Sequence, residues 1–276
     1  MKNSTGITSK KTLPPIPKGF GLPFYYATLF NIEVAFLVDR ERVLPYLEGT
    51  GLVASDFDGK AIVSFNYQLY NGQFPDSSSN TQEIELNIVA YPESQKANVA
   101  LVTAAQYLRG EEQTKLMGHK RVWVPCDNDI AISAGKTLFG EPKFKTTFTT
   151  SFPSLNVPDV QTWTITCNDP ENPKETIFTC VSDVKNLIPE ISAFSPITEY
   201  GKFDDQLIGC RWNILQPTQL YFLNEIESKN RVKLDFGAST HPMKKDMETL
   251  IGNTPAFTVR TSSSAPAAIQ TRAYYA

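Results

Sequence analysis

Polar and apolar positions alternate with a period of two over much of this chain. The clearest run is EIELNIVAY (83–91), where Ile84, Leu86 and Ile88 share one face of a strand and Glu83, Glu85 and Asn87 the other. The same reading predicts strands over 61–70, 98–108, 161–167, 176–181, 207–215, 231–236 and 255–261. The linker NDPENP (168–173) between two of them is a hairpin signal. Three segments change to a helical period. VDRERVLPYL (38–47) suits a short helix with Pro45 near its end. NDIAISAGKTLF (128–139) has Asp127 or Asn128 as its cap and Gly140 as its stop. MKKDMETLIG (243–252) puts Met243, Met247 and Leu250 on one face, with Pro242 in its first turn and Gly252 after it. The polar loop NGQFPDSSSNTQ (71–82) interrupts two strands and reads as a surface insertion or a mobile lid. Residues 1–19, with Pro14, Pro15 and Pro17, read as an extended arm, and 20–276 as a single domain. The pattern predicts a mostly β (α+β) fold, an antiparallel β-barrel-like domain with a few flanking helices.

Composition narrows the function classes. Against 29 Asp and Glu stand 26 Lys and Arg, so no basic field exists and nucleic acid is not an expected partner. No stretch reaches the roughly 18 clean apolar residues of a membrane span, and the polar, Pro-rich N-terminus lacks the apolar segment of a secretory signal. Cys126, Cys167, Cys180 and Cys210 form no CxxC, and neither His119 nor His241 stands at ligand spacing from a cysteine. The expectation is a soluble, cytoplasmic protein of a reducing compartment, with no metal and no cofactor. GxSxG, HExxH, the P-loop and the dinucleotide fingerprint are all absent. What remains is chemistry run by lysine, carboxylates or tyrosine, or no chemistry.

The stretch WVPCDNDIAISAGKTLFGEPKFKTTF (123–148) is the most informative. It reads as an edge strand, an Asp-Asn-Asp cap, and a helix whose Ala131, Ala134 and Gly135 permit close approach to a sheet. Gly140 ends that helix, and Pro142 forces Glu141 to be extended and aims Lys143. By spacing alone, a positioned amine at Lys143 competes with an ordinary solvated lysine. DNDIAISAGKTLFGEPKF (127–144) resembles the signature of the acetoacetate decarboxylase-like family. Other pieces fall in the family's order: a PxPxxF-like arm, LPYLEGTGL (44–52), TQEIELNIVAY (81–91) and a C-terminal TVRTSSS segment. The resemblance spans about residues 13–276 and is most specific over 126–143.

That resemblance implies Schiff-base catalysis by Lys143, the first lysine after the Gly-x-Pro turn, with Glu83 as the glutamate that positions substrate or moves a proton. Glu85 is its alternative on the same face, and both compete with a reading as solvent-facing strand residues. The free amine needs a depressed pKa, because an ordinary lysine is neutral in only about one molecule in 2,500 at pH 7. Family members often place a second lysine directly after the first; Phe144 stands there in this chain. Lys145, roughly 6.6 Å further along a strand, or apolar burial near Phe144 is the candidate substitute, and Lys145 competes with a reading as a solvated neighbour. Tyr25 and Tyr26 are candidate pocket residues. The carboxylate-binding arginine of some members has no counterpart in 24–36; Arg40 and Arg42 fall on the following helix, and Arg121 or Lys136 is the possible replacement, each more simply a solvated charge. Trp123, Trp163 and Trp212 read as core or rim packing, His119 as a loop residue and His241 as a helix start. The implied activity is decarboxylation of an acetoacetate-like β-keto acid to carbon dioxide and a ketone. The alternatives are imine-dependent aldolase or dehydratase chemistry on a larger keto acid, or a non-catalytic small-molecule binder. The resemblance also implies a homo-oligomer.

Overall fold

The computed structural model describes residues 13–75, 77–192, 194–273 and 275; the first twelve residues of the expected arm lie outside them, and 13–17 carry no regular structure. The strands are β1 (Tyr25–Asp39), β2 (Leu52–Ala54), β3 (Lys60–Phe74), β4 (Ser77–Pro92), β5 (Gly118–Cys126), β6 (Lys143–Lys145), β7 (Phe148–Ser151) and β8 (Thr162–Asn168). They continue as β9 (Thr176–Asp183), β10 (Glu190–Ser192), β11 (Ile197–Phe203), β12 (Gln206–Trp212), β13 (Thr218–Phe222), β14 (Val232–Phe236) and β15 (Ala256–Ser263). The helices are α1 (Ala104–Arg109), α2 (Asp129–Phe139), α3 (Glu225–Arg231) and α4 (Pro242–Leu250). None is long and apolar enough to cross a membrane.

Eleven strands form one mixed sheet in the order β10-β13-β15-β1-β3-β4-β5-β11-β12, with β2 beside β4 and β6 beside β5. Four more make an antiparallel sheet, β14-β9-β8-β7. The mostly β expectation is met, but the barrel is not closed: among the described residues the terminal strands β10 and β12 do not pair. The period-two pattern explains the layering. Ile32, Val34 and Phe36 of β1, Val63, Phe65 and Tyr67 of β3, and Ile84, Leu86 and Ile88 of β4 share one face and join the main core. The small sheet covers that face with Trp163, Ile165, Ile177 and Phe178, and α4 adds Met243, Met247 and Leu250. Each such side chain contributes roughly 1.5–3 kcal/mol on burial.

The opposite face is also buried, and it is polar. Asn31, Glu33, Ser64, Asn66, Gln68, Glu83, Glu85 and Asn87 are at most 6% exposed. The same face turns apolar at its far end, where Ala35, Ile62 and Val89 pack with Tyr107, Leu108 and Phe194 of a second core. Glu83 and Glu85 are therefore interior residues and not solvent-facing ones.

Several elements differ from expectation. The predicted helix at 38–47 is the end of β1, where Val38 pairs with Ala61, followed by two single turns of 3-10 helix. The predicted strand at 98–108 is a loop and α1, whose Thr103–Gln106 capping box and left-handed Gly110 specify a helix. The predicted loop at 71–82 is mostly paired strand: the β3–β4 ladder runs on to Phe74 and Ser77, with Asn71 and Asn80 bonded side chain to side chain at 3.0 Å. Finally, β5 is no edge strand. It pairs with β4 on one side and, on the other, with β11 along its first half and β6 along its second.

Candidate active site

The chain leaves β5 at Cys126 and returns through α2 to lay β6 parallel to it, with Val124 opposite Lys143. Parallel neighbours need such a crossover, usually a helix. Asn128 caps α2 by accepting from the amides of Ile130 and Ala131, and Gly140 ends it at φ 63°. The Glu141 amide then donates to the Gly135 carbonyl (3.1 Å), and Val124 donates to the Pro142 carbonyl (3.2 Å). These bonds aim the Glu141 and Lys143 side chains beneath α2. Gly135 permits the passage: a Cβ there would overlap both Lys143 Cε and the Glu141 carboxylate. The sequence motif is thus a device for seating one buried lysine.

Lys143 Nζ lies 2.5 Å from Glu83 Oε2 and 3.3 Å from Glu141 Oε2, with the Lys143 side chain 5% and the Glu83 side chain 4% exposed. Gln68 Nε2 donates to Glu83 Oε1 (2.5 Å) from β3, where Gln68 and Glu83 are register partners. Behind this pair, the buried Arg121 guanidinium binds Glu85, Glu141 (3.1 Å) and Glu199 (2.5 Å) together. Cys210 Sγ donates to Glu199 at 3.4 Å. Four carboxylates therefore surround two cations.

Electrostatics follow from that count. Burial alone pushes the Lys143 ammonium down, but the carboxylates of Glu83 and Glu141 outweigh it and hold the amine well above the usual lysine range. Burial pushes Glu83 up, only partly offset by Lys143. Glu85 is also burdened by burial, yet Arg121 overrides this and keeps it below the usual carboxylate range. Burial lifts Glu199 to about 7 in spite of Arg121. Burial and the charge of Glu83 raise both Tyr26 and Tyr70.

Lys143, Glu83, Glu85, Glu141, Arg121 and Glu199 all line one cavity of about 760 Å³, bounded outward by the segment 22–27, β3, α2 and residues 210–216. Tyr25 stands at its rim, 64% exposed, and Tyr26 deeper. The cavity does not include the two residues expected to depress the amine. Lys145 points to solvent and pairs with Asp129 at 2.7 Å, and Phe144 stacks on His241 with ring centroids 4.3 Å apart. A resting amine kept neutral by either is not what the geometry holds; the amine is an ammonium whose proton lies against Glu83. Arg121, read as a solvated charge, is buried with both terminal nitrogens paired to carboxylates and its Nε without a partner, whereas Lys136 is exposed. His119 is no loop residue but a buried part of β5, while His241 does cap α4. Trp163 is core, Trp123 donates to Asp246, and Trp212 lines the cavity. Glu199 and Cys210 carried no sequence signal, since they reach the site only by the pairing of β11 with β5 and β12. Glu141 stood beside Lys143 in the motif and was legible only as part of a turn.

No family model matches the chain, and no curated protein matches its sequence. Solved structures do. The enduracididine biosynthesis enzyme MppR complexed with pyruvate matches at a TM-score of 0.59 and 10% identity, over 92% of this chain and 88% of that one. An acetoacetate decarboxylase-like enzyme from Sphingomonas wittichii RW1 matches at 0.56 and 12%, over 87% and 88%. Acetoacetate decarboxylase from Legionella pneumophila matches at 0.50 and 11%, over 93% of each chain. The chain therefore carries the acetoacetate decarboxylase-like fold.

Proposed function

We propose that this protein is a Schiff-base enzyme in which Lys143 forms an imine with the ketone of a keto acid. The observation that carries the reading is the buried contact of 2.5 Å between Lys143 Nζ and Glu83 Oε2 at the inner end of the cavity. Burial raises Glu83 and so makes it a better proton acceptor than an exposed carboxylate. Glu83 takes the ammonium proton, and the free amine attacks the carbonyl carbon. Glu83 then returns the proton to the carbinolamine hydroxyl, which leaves as water and gives the iminium.

The reaction placed first is decarboxylation of a β-keto acid. Electrons of the bond to the carboxylate flow to the iminium nitrogen, carbon dioxide leaves, and an enamine remains. Glu83 takes up a proton from solvent water and gives it to the enamine carbon, and water hydrolyses the new iminium to the ketone and the Lys143 ammonium, leaving Glu83 as the carboxylate. Expelling neutral carbon dioxide removes one anion from a site that already holds four carboxylates for two cations. A second reading, condensation or dehydration of a larger keto acid, is favoured by the cavity of about 760 Å³. MppR, similar in fold, has been seen with the condensation product of pyruvate and imidazole 4-carboxaldehyde, which is consistent with that branch.

The test is to incubate the protein with acetoacetate or with pyruvate, reduce with borohydride and map the mass adduct. An adduct on Lys143 with carbon dioxide released from acetoacetate is the expected result. An adduct without carbon dioxide selects the condensation branch. No adduct with any small ketone overturns the enzyme reading in favour of a binder.

A further inference from the structure

The cavity is polar at one end and apolar at the other. Its buried charged residues are gathered around Lys143, each at most 8% exposed except Glu199 at 10% for its side chain, while among the described residues the one other charged lining residue, Arg211, is exposed on the outer segment 210–216. Toward the mouth the lining changes to aromatic and aliphatic groups. Tyr26 stacks on Tyr70 with centroids 4.2 Å apart and planes at 21°, and Trp212 lies 6.4 Å from Tyr26. On the helix side, α2 contributes Ala131, Ala134 and Gly135, none of which extends beyond a methyl group, with Phe139 at its C-terminal end. At the rim Leu22 and Leu215 are exposed, Leu215 at 96%.

We propose that the substrate is a monocarboxylic keto acid with an aryl or extended alkyl tail, lying with its carbonyl at Lys143 and its tail in the slot between α2 and the wall of Tyr26, Tyr70 and Trp212. This rests on the imine reading above and specifies its substrate class. Three arguments carry it. The first is size: about 760 Å³ has room for roughly 25 water-sized groups, and a small acid such as acetoacetate fills only a fraction of it. The second is shape. Aromatic faces opposite the small-residue stretch 131–135 of α2, with Phe139 closing its end, suit a flat or unbranched group, and pockets of this volume are generally filled by ligands that bury most of their apolar surface. The third is charge. Arg121 is engaged by Glu85, Glu141 and Glu199, so the inner end offers no spare cation to a second carboxylate and repels one. A second carboxylate seated at the inner end is therefore disfavoured, and the one further cation of the described lining, Arg211, stands on the outer segment 210–216.

The probes are pyruvate and 2-oxo-4-phenylbutanoate, compared by the concentration that half-saturates borohydride-trapped Lys143 adduct. Burial of the phenyl group lowers that concentration by about tenfold or more relative to pyruvate. In Ala134→Leu, which fills the slot, and separately in Trp212→Ala, which removes its wall, the advantage shrinks to about threefold or less by the same area argument. Equal half-saturation by the two acids in the wild-type protein overturns the slot and leaves the imine reading standing. If neither acid is trapped, the imine reading fails, and the slot is then decided with Lys143→Met by tryptophan fluorescence. Saturable quenching by the phenyl acid but not by pyruvate supports it; no difference between the two overturns it.

Discussion

At the scale of the residue, the site turns on one proton between Lys143 and Glu83. Their burial would penalise either charge alone, and their contact lets each stabilise the other. Glu83→Gln keeps the shape and removes the base, so the rate of imine trapping is expected to fall by about 10²–10⁴-fold. An unchanged rate under single-turnover conditions would remove Glu83 from proton handling. Glu199 makes a separate prediction through pH. Its folded value of about 7 stands above the ordinary 4.5, so the folded protein holds that proton more tightly than the unfolded chain. The associated stability is complete below about 4.5, declines as pH rises and is lost through 7. Melting temperatures at pH 5 and pH 8 are therefore expected to differ more in the wild type than in Glu199→Gln, and parallel pH profiles would contradict this. Lys143 and Glu83 were picked out by the resemblance of 127–144 and 81–91 to the family, while strict alternation by itself left Glu83 on a face read as solvent-exposed. Arg121 was legible as a cation and not as the hub of three carboxylates, because those partners come from three separate segments.

At the scale of the element, the β5–α2–β6 unit does the positioning. Gly135→Ala would drive a methyl into the Lys143 and Glu141 side chains. The expected outcome is at least a tenfold loss in trapping rate, the size of effect that small misplacement of a reacting group produces. A trapped yield and rate equal to wild type would show that the lysine tolerates the methyl. Asn128→Ala removes the side-chain acceptor for two α2 amides and is expected to cost about 1 kcal/mol in urea unfolding, with the helix otherwise kept. Helices α2 and α4 could be read from their caps and stops, which act within a few residues. The segments 38–47 and 98–108 could not be read from their apolar content. In the first, pairing with β3 extends a strand into a sequence of helical period. In the second, a capping box prevails over a β-rich run.

For the whole molecule, two sheets share one apolar core, and the sheet's other face is an interior polar layer. Phe178 of the small sheet meets Phe65 of the large one at 5.2 Å between centroids and is fully buried. Phe178→Ala is expected to cost about 3–5 kcal/mol by urea unfolding, the range for removing a fully buried phenylalanine side chain from a core. A loss below about 1 kcal/mol would mean that the two layers repack freely.

The sequence by itself determined the strand-rich class, two capped helices, and the short motif that seats Lys143, because alternation, caps and a Gly-x-Pro turn are decided within a few residues. Only the tertiary structure decided that the sheet stays open and that both faces of β4 are interior. It also decided that Phe144 and Lys145 lie outside the cavity while Glu141, Arg121 and Glu199 enter it. The physical reason is range. A period of two states which residues share a face, but whether that face meets solvent, oil or four carboxylates depends on strands that are distant in the chain. The charge state of the amine is set there as well, by neighbours that no spacing rule connects to it.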